Sequence, residues 1–415
     1  MVSYSNKPLR ICLLSYRSNP HCGGQGVYVK NLSRALTDLG HRIDVISGQQ
    51  YPDLDPDINL VKLPSLDLYN PDDLFRIPKI VELLNLTNFI EWFGISTMGF
   101  TEPMTFGTRA YKFLKNKFHK YDIIHDNQSL SYGIWAIKKH IPTIATIHHP
   151  ITVDRDIAIK SETILWKKLK HLRWYSFLGM QKKVAKTLPH IITVSECARK
   201  DISKEFNVPE EKFSIIPNGI NTDLFYPLPE IKRQKNRIIV TNSADTPLKG
   251  LYYLLISVAE IVRRQQIRLV VVGTPKKNGK IVRQIKKLGI GRFVTFTGRI
   301  SDYEFVRQYA KATVAVIPSV YEGFGLPAGE AMACGVPVIS TTGGALPEVV
   351  GDAGILIPPA DPTALTRAIT KILNNPDLAD TYSKAGYKRV LNHLTWNAAA
   401  QKTVDVYRKV INDYR

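Results

Sequence analysis

Short apolar runs alternate with amphipathic helical patterns along almost the whole chain, and this alternation constrains the fold more than any other feature. "RICLLSY" from Arg10 predicts a buried strand, "GVYVKNLSRALTDLG" a helix that ends at Gly40, and "HRIDVIS" the next strand. A strand, a helix and a second strand in this order form a βαβ unit. The sequence therefore predicts an α/β protein with parallel sheets covered by helices on both faces.

The alternation restarts near the middle of the chain, which indicates two domains. We predict an N-terminal Rossmann-like domain over 1–216, a polar linker over 217–236 and a C-terminal Rossmann-like domain over 237–394. A helix at 395–415 is expected to complete the first domain. A length of 415 residues accommodates two such domains. Ligands of these sheets bind beyond the carboxyl ends of the strands, so a cleft between the domains is the expected site.

The formal net charge of +20 can attract an anionic membrane, an acidic substrate or nucleic acid. Two segments, 107–120 and 166–186, hold five and seven Lys or Arg residues and no acidic residue. Both interleave cations with aromatic and aliphatic residues, as amphipathic basic helices do. They are either solvated helices whose aromatic residues enter the core, or attachment sites for an anionic membrane surface. No recognisable nucleic-acid motif accompanies the charge, so nucleic acid is the least favoured partner.

The chain shows the features of a cytoplasmic protein. Its four cysteines have neither paired nor metal-site spacing, which favours reduced thiols. No apolar run reaches the ~18 residues of a membrane span, and the N-terminus lacks a signal-peptide core. We expect a cytoplasmic location, with peripheral attachment to the inner face of the cell membrane as the alternative. The apolar segment 84–108 is either a folded lid or a surface for an apolar acceptor or membrane.

Two glutamates flank a glycine-rich turn in "VYEGFGLPAGEAMACG". Glu322 falls on the turn after a predicted strand, and Glu330 falls in the first turns of the helix that follows. Backbone N–H groups at a helix N-terminus bind anions, whereas carboxylates repel phosphate and accept hydrogen bonds from vicinal hydroxyls. The combination predicts a ligand that carries a diol, a diphosphate and a second diol, which describes a nucleotide sugar.

This stretch resembles the E-x7-E signature of retaining glycosyltransferases of family 4, which have the two-domain GT-B fold. The resemblance extends to "CGGQGVYV", "TIHH", "TVSE", "PNGI" and "PLKG". It implies transfer of a hexose from a UDP-, GDP- or ADP-linked donor to a hydroxyl acceptor, without a further cofactor, a metal or a covalent side-chain nucleophile. Several enzymes of this family glycosylate lipids, which favours a membrane lipid or a lipid-linked acceptor.

The resemblance also implies roles for residues of the C-terminal domain. Glu322 would hold hydroxyls of the transferred sugar, and Glu330 would hold the ribose. The backbone N–H groups of Phe324, Gly325 and Leu326 would bind the sugar and the distal phosphate.

Four further residues are implied as parts of the site. Lys249 in "PLKG" would pair with the diphosphate and neutralise the charge of the leaving group, and Gly23 and Gly24 would approach the diphosphate from the N-terminal domain. His148 in "TIHH" would contact the donor sugar, with its backbone close to the anomeric carbon. His148, Glu322 and Lys249 are thus the predicted catalytic residues.

One position departs from the family pattern. An arginine usually precedes the lysine of "PLKG" by six residues, and here that position is Ser243. Serine cannot replace a bidentate guanidinium, so Arg299 in "FTGRIS", another basic residue or a bound cation would have to compensate. Otherwise donor binding is unusual, and a protein that binds nucleotide sugars without transfer remains an alternative. A soluble-acceptor glucan or disaccharide synthase and a nucleotide-sugar epimerase are the alternatives within the fold.

Overall fold

The structure is a computed structural model that describes residues 7–19, 24–68, 70, 73, 76–160, 162–241 and 246–414. Internal contacts divide the chain into two compact units. The first unit comprises 1–194, 198–216 and 399–415, and the second comprises 195–197 and 217–398. Each unit contains one parallel sheet with helices, so the predicted doubly wound α/β architecture is confirmed.

The first unit is built on a seven-stranded parallel sheet of order β3-β2-β1-β4-β5-β6-β7. Its strands are β1 (Arg10–Ser15), β2 (Arg42–Ser47), β3 (Asn59–Lys62), β4 (Ile123–Asn127), β5 (Thr143–Ile147), β6 (Ile191–Thr193) and β7 (Phe213–Ile215). Its helices are α1 (Gly24–Asp38), α2 (Ile80–Leu83), α3 (Leu86–Ser96), α4 (Glu102–Leu114), α5 (Tyr132–Ile137), α6 (Thr152–Lys160), α7 (Leu165–Trp174), α8 (Leu178–Thr187) and α9 (Glu196–Phe206).

Burial explains why most strands of the first sheet are rich in apolar residues. Every residue of β4 and β5 is buried, because the helices of a doubly wound fold cover both faces of the sheet. The chain order reverses between β1 and β4, which lie side by side in register from Ile11 with Ile123. This switch point is where a doubly wound sheet binds its ligand, beyond the carboxyl ends of the strands.

The second unit repeats the plan with a six-stranded parallel sheet of order β10-β9-β8-β11-β12-β13. Its strands are β8 (Arg237–Thr241), β9 (Arg268–Val272), β10 (Val294–Phe296), β11 (Val314–Ile317), β12 (Val338–Thr341) and β13 (Ile355–Ile357). Its helices are α10 (Leu251–Ile261), α11 (Lys280–Leu288), α12 (Asp302–Ala310), α13 (Leu326–Ala333), α14 (Leu346–Val350), α15 (Pro362–Leu373) and α16 (Pro376–His393). The last helix of the chain, α17, covers Trp396–Tyr414. The switch point of this sheet lies between β8 and β11.

A buried histidine of the first sheet forms a hydrogen bond with the final helix, α17. His125 of β4 lies within 2.6 Å of the Tyr407 hydroxyl of α17 through Nδ1, and within 2.7 Å of the Thr146 hydroxyl through Nε2. All three side chains are buried. Burial lowers the pKa of His125 to about 3, so the ring is neutral and serves to hold α17 against the sheet.

The two basic segments have different surroundings. Segment 107–120 continues α4, which buries Phe106, Ala110 and Leu114 in the core, so this helix packs as an ordinary amphipathic element. Segment 166–186 begins in α7, which buries none of its residues, and continues into α8, which does bury several. Across the described part of the chain, no helix combines the length and apolar character required to cross a membrane.

Candidate active site

Lys249 and Glu322 lie at the switch point of the second sheet. Lys249 ends a one-turn 3-10 helix, Pro247–Lys249, in the connection that follows β8, and Glu322 lies in the loop after β11. The Val320 N–H donates to the Leu248 carbonyl oxygen at 2.7 Å, which joins the two loops. A Cβ on Gly250, whose φ is +68°, would come within 1.8 Å of the Pro318 oxygen, so this close approach requires glycine.

The side chains of Lys249 and Glu322 form an ion pair across this junction. Lys249 Nζ lies 2.6 Å from Glu322 Oε1, and the Ser319 hydroxyl donates to the same oxygen at 2.9 Å. The Glu322 side chain is nearly buried, whereas a third of the Lys249 side chain is exposed. The lysine can therefore reach an incoming anion while the carboxylate stays fixed by the serine.

Glu330 is held in a different environment, on the helix that begins after the glycine turn. It is the fifth residue of α13, as the sequence predicted from the loop and helix pattern. Burial raises the pKa of the Glu330 carboxyl to about 7, the charge of Asp302 raises it further, and Lys249 lowers it. The carboxylate form is therefore available only near neutral pH and above, or when a ligand donates hydrogen bonds to it.

The glycine turn presents the start of α13 to the same edge of the sheet. Gly325 caps the helix with φ +106°, a conformation that favours glycine, and a Cβ there would lie 2.6 Å from Leu346 Cδ2. The Glu322 carbonyl accepts the Ala345 N–H at 2.9 Å, which fixes the loop. Phe324 is buried beside this turn, and Leu326 opens the helix. The N-terminus of α13, with the positive end of its helix dipole, therefore lies at this edge, where an anion can bind.

The remaining predicted donor residues of the second unit are less well placed. Arg299 is exposed on the loop after β10, two strands away from β8 in the sheet. The neighbouring Gly298 N–H donates to the Gly273 carbonyl at 3.2 Å, which ties that loop to the end of β9. Ser243 lies outside the described residues, and so does Gly23 of the first unit. Gly24 is described and forms the exposed first residue of α1.

His148 follows β5 at the carboxyl edge of the first sheet. Its Nε2 lies 2.8 Å from Asn127 Oδ1, and its backbone N–H donates to Gln128 Oε1 at 2.8 Å. Its ring meets the ring of Tyr28 edge to face, with the centroids 4.7 Å apart. Burial lowers the pKa of His148 to about 3, aided by His149 and His125. The imidazole is therefore neutral, and because Oδ1 only accepts, Nε2 carries the proton.

His149, the next residue, has a different partner. Its Nε2 lies 2.9 Å from Asp154 Oδ2 of α6, and its backbone carbonyl accepts from Gln128 Nε2 at 3.1 Å. The two adjacent histidines thus face different groups. Gln128 contacts both residues, since its oxygen binds one backbone N–H and its nitrogen the other carbonyl.

The end of β4 and the loop that follows it contain residues that the sequence pattern did not assign to the site. Asp126 is fully buried and accepts from the Ser129 hydroxyl at 2.5 Å and the Leu130 N–H at 2.7 Å, and burial raises its pKa to about 6. Gln128 and Leu130 have φ of +57° and +47°, which is strained for residues other than glycine. The run of polar residues "HDNQS", which begins inside β4 directly after Ile123 and Ile124, was the signal that could have identified this region.

Comparisons with known proteins agree with the fold. Residues 228–389 match the model "Glycosyl transferases group 1", and residues 22–224 match "Glycosyltransferase Family 4". An MMP alpha-(1->4)-mannosyltransferase of Mycolicibacterium hassiacum is 44% identical over 408 residues, covering 97% of this chain and 98% of the relative.

Solved structures show the same architecture. Sucrose-phosphate synthase from Thermosynechococcus elongatus aligns with a TM-score of 0.74 and 25% identity, covering 97% of this chain and all of the other. Anabaena HepE in complex with UDP and glucose aligns with a TM-score of 0.69 and 17% identity over 96% of this chain and 99% of the other, which supports the fold. Since nearly the full length of a 44% identical relative is covered and both units match, the chain belongs to the family 4 glycosyltransferases of GT-B fold.

Proposed function

We propose that the chain is a retaining hexosyltransferase that moves a sugar from a nucleoside-diphosphate donor to the hydroxyl group of a lipid or lipid-linked acceptor. One observation carries the proposal: Lys249, Glu322 and Glu330 converge with the start of α13 at one sheet edge. A cation and bare N–H groups suit phosphates, and carboxylates suit hydroxyls. A nucleotide sugar offers both kinds of group.

Carboxylates bind the hydroxyl groups of the donor, and N–H groups and cations bind its phosphates. Glu330 accepts hydrogen bonds from the ribose, and the N–H groups at Phe324, Gly325 and Leu326 bind the sugar and the distal phosphate. Glu322 accepts from hydroxyls of the transferred sugar while Ser319 keeps its carboxylate in place. Arg299, another basic residue or a bound cation compensates for the arginine that Ser243 replaces, and Gly23 and Gly24 let the backbone approach the diphosphate.

Lys249 changes partner when the donor binds. Without a donor it pairs with Glu322, and the doubly charged diphosphate competes for the ammonium group when it arrives. During transfer the bond between the anomeric carbon and the phosphate oxygen breaks, and the negative charge on that oxygen grows. A cation fixed beside it stabilises this charge and so lowers the barrier.

Transfer proceeds on one face of the sugar, with retention of configuration. The acceptor hydroxyl forms the new bond to the anomeric carbon, and its proton passes to the departing phosphate oxygen. The transition state resembles an oxocarbenium ion, so positioning and charge stabilisation dominate catalysis. The His148 backbone N–H donates to Gln128, so the backbone carbonyl of His148 is the group that we propose to lie close to the anomeric carbon.

The transferred sugar is proposed to be mannose. The 44% identical relative is named as an alpha-(1->4)-mannosyltransferase, and its alignment spans the chain from end to end. The apolar surfaces of the first unit support a lipid or lipid-linked acceptor at the cytoplasmic face of a membrane. A soluble sugar acceptor is the second candidate, since sucrose-phosphate synthase aligns over nearly the whole chain at 25% identity.

A donor screen tests the proposal. Wild type and Glu330→Ala are compared by thermal shift and by donor hydrolysis with UDP-, GDP- and ADP-sugars, with GDP-mannose included. We expect one donor to raise the Tm of wild type and to lose this effect in Glu330→Ala. Asp377→Ala, which removes another carboxylate at a helix start of the same unit, is the control and should keep the shift.

The acceptor and the alternatives are separated in the same screen. Product that forms only when a lipid extract is added supports the lipid acceptor, whereas product with a free sugar or sugar phosphate supports the second candidate. Conversion of the donor sugar without any acceptor would indicate an epimerase. Donor binding without turnover under any of these conditions would indicate a binding protein and would overturn the proposal.

A further inference from the structure

Helix α3 turns its polar side toward the protein. Its buried residues are Thr87, Glu91 and Gly94, which follow the helical spacing of one face. Glu91 is only 1% exposed, and its Oε2 lies 2.5 Å from Arg109 Nη2 of α4. An ordinary surface helix buries its apolar face, so the orientation of α3 is inverted.

The apolar side of α3 and its neighbour α2 is exposed. Leu86, Phe89, Ile90 and Phe93 follow the spacing of the opposite face of α3, and all four are exposed. Phe89 and Phe93 stack on each other with ring centroids 6.1 Å apart. In α2, Ile80 is 82% exposed and no residue is buried. An exposed apolar area of this extent marks a surface that binds a partner.

Helix α7 continues this surface and adds positive charge. None of its residues is buried, and Leu165, Trp166, Leu169 and Leu172 are more than half exposed. Its cations are Lys167, Lys168, Lys170 and Arg173, and the sequence has no acidic residue from 163 to 195. A helix of this kind is basic, amphipathic and uncovered.

The end of α7 lies beside the end of α3. The Trp174 ring stacks on Phe100 with centroids 5.3 Å apart, and Arg173 Nη2 donates to the Thr97 hydroxyl at 2.8 Å. These contacts join the two exposed helices into one region of the first unit. We call the exposed apolar side chains of α2, α3 and α7, together with the cations of α7, the docking face.

We propose that the docking face binds the surface of an anionic lipid bilayer. Apolar side chains of such a face enter the boundary between headgroups and acyl chains, and the cations contact anionic headgroups. The acids beside it are already compensated, since Glu82 lies 2.6 Å from Arg76 and Glu162 lies 3.8 Å from Lys167.

Charge distinguishes the bilayer from a second copy of the chain. Each copy carries a net charge of +20, so a symmetric pairing through the docking face would bring like charges together. An anionic bilayer supplies both the opposite charge and the apolar phase. The proposal is independent of donor specificity and of transfer, because binding to vesicles is measured without any nucleotide sugar.

Vesicle co-sedimentation of the full chain tests the proposal. The vesicles contain either phosphatidylcholine alone or phosphatidylcholine with 30% phosphatidylglycerol, at low and at high salt. We expect binding to the anionic vesicles, with an affinity that falls as salt rises. Tryptophan emission should shift to the blue on binding, and less so in Trp166→Phe.

Two sets of variants locate the binding surface. Replacing the cations Lys167, Lys168 and Lys170 together by Gln should lower the affinity about 100-fold, since each near-surface cation contributes roughly fivefold. Replacing Phe89 and Phe93 together by Gln should leave only salt-sensitive binding. The matched controls, which should bind like wild type, are Gln at Lys280, Lys286 and Lys287, and Gln at Tyr252 and Leu391, all of them exposed in the second unit.

Three outcomes would overturn the proposal. The first is failure of wild type to sediment with anionic vesicles at low salt. The second is an equal loss in the Lys280, Lys286 and Lys287 control, which would assign binding to total charge. The third is a dimer, seen by sedimentation velocity and abolished by Phe89→Gln and Phe93→Gln, which would assign the docking face to a second copy. Unchanged Tm values of the variants show that the fold persists.

Discussion

The carboxyl edges of the two sheets are built on the same plan but contain different chemistry. The edge of the second sheet is charged, with the ion pair of Lys249 and Glu322 and the ionisable Glu330. At the edge of the first sheet, by contrast, His148 is held neutral between the amide side chains of Asn127 and Gln128. Phosphates call for the charged edge, whereas an uncharged sugar ring is better positioned by neutral hydrogen bonds.

The largest effect on activity is expected from removing Lys249, the cation of the charged edge. We expect Lys249→Ala to lower kcat/KM by about 10²–10³-fold, because the charge on the leaving phosphate would then lack the cation that we propose to stabilise it. Steady-state kinetics with the preferred donor measures the effect, and Lys280→Ala serves as a control of equal charge. The double variant Lys249→Ala with Glu322→Ala should lose more than Lys249→Ala alone, since in the proposed donor complex the lysine binds the diphosphate and the carboxylate binds the sugar hydroxyls. A loss no larger than that of Lys249→Ala alone would show that the two residues act only as a pair.

The neutral edge is tested through His148. We expect His148→Ala to lower kcat by about 10- to 100-fold, because the donor sugar would lose a contact that we propose to orient it for transfer. The pKa of His148 is lowered to about 3, so the ring does not titrate near neutral pH, and wild type and variant should have pH profiles of the same shape from pH 6 to 8. His149→Ala is the neighbouring control and should lose less. A wild-type inflection near pH 6.5 that disappears in His148→Ala would contradict a neutral edge.

The smallest expected effect is a change of donor affinity with pH, which depends on Glu330. Such a pH dependence is expected of the charged edge and not of the neutral one. With a pKa raised to about 7, its carboxylate fraction rises from about one tenth at pH 6 to about nine tenths at pH 8. Because the carboxylate is the form that we propose to accept the ribose hydrogen bonds, the donor Kd should fall by roughly tenfold over this range. Isothermal titration should show no such trend in Glu330→Gln. A steeper trend in the variant than in wild type would contradict the assignment.

The raised pKa of Glu330 also affects stability: donor affinity should rise with pH, whereas the free energy of unfolding should fall. The folded-state pKa of Glu330 lies above the ordinary value of 4.5, so the folded protein binds more protons than the unfolded chain between pH 4.5 and about 7. This contribution to the free energy of unfolding therefore declines as pH rises through that window. The free energy of unfolding of Glu330→Gln, measured with urea, should therefore decline less with rising pH than that of wild type.

Much of the second unit's site was predictable because its geometry is local. The glycine turn, Pro327 and the apolar run that follows dictate a loop and then a helix, and α13 begins at Leu326 as expected. Glu322 and Glu330 therefore had fixed positions on the loop and the helix before any tertiary contact was known. The parallel sheets were equally predictable, since buried parallel strands read as continuous apolar runs.

The contacts among distant residues were not predictable. Lys249 and Glu322 are 73 residues apart, and they meet because β8 and β11 are neighbours in the sheet. The support of His148 by Asn127 and Gln128 likewise depends on the pairing of β4 with β5. Periodicity also gave no sign that α3 would turn its polar face inward, because that orientation depends on the pairing of Glu91 with Arg109.

The sequence by itself determined the α/β class, the repeated strand and helix order, and the placement of two carboxylates around an anion-binding helix start. These features follow from periods of two and 3.6 residues and from turn chemistry, which act within a few residues of the chain. The tertiary structure decided which loops meet at each switch point, which histidine is held by which amide, and which apolar helices remain uncovered. Those outcomes depend on contacts between residues far apart in the chain, which no local pattern encodes.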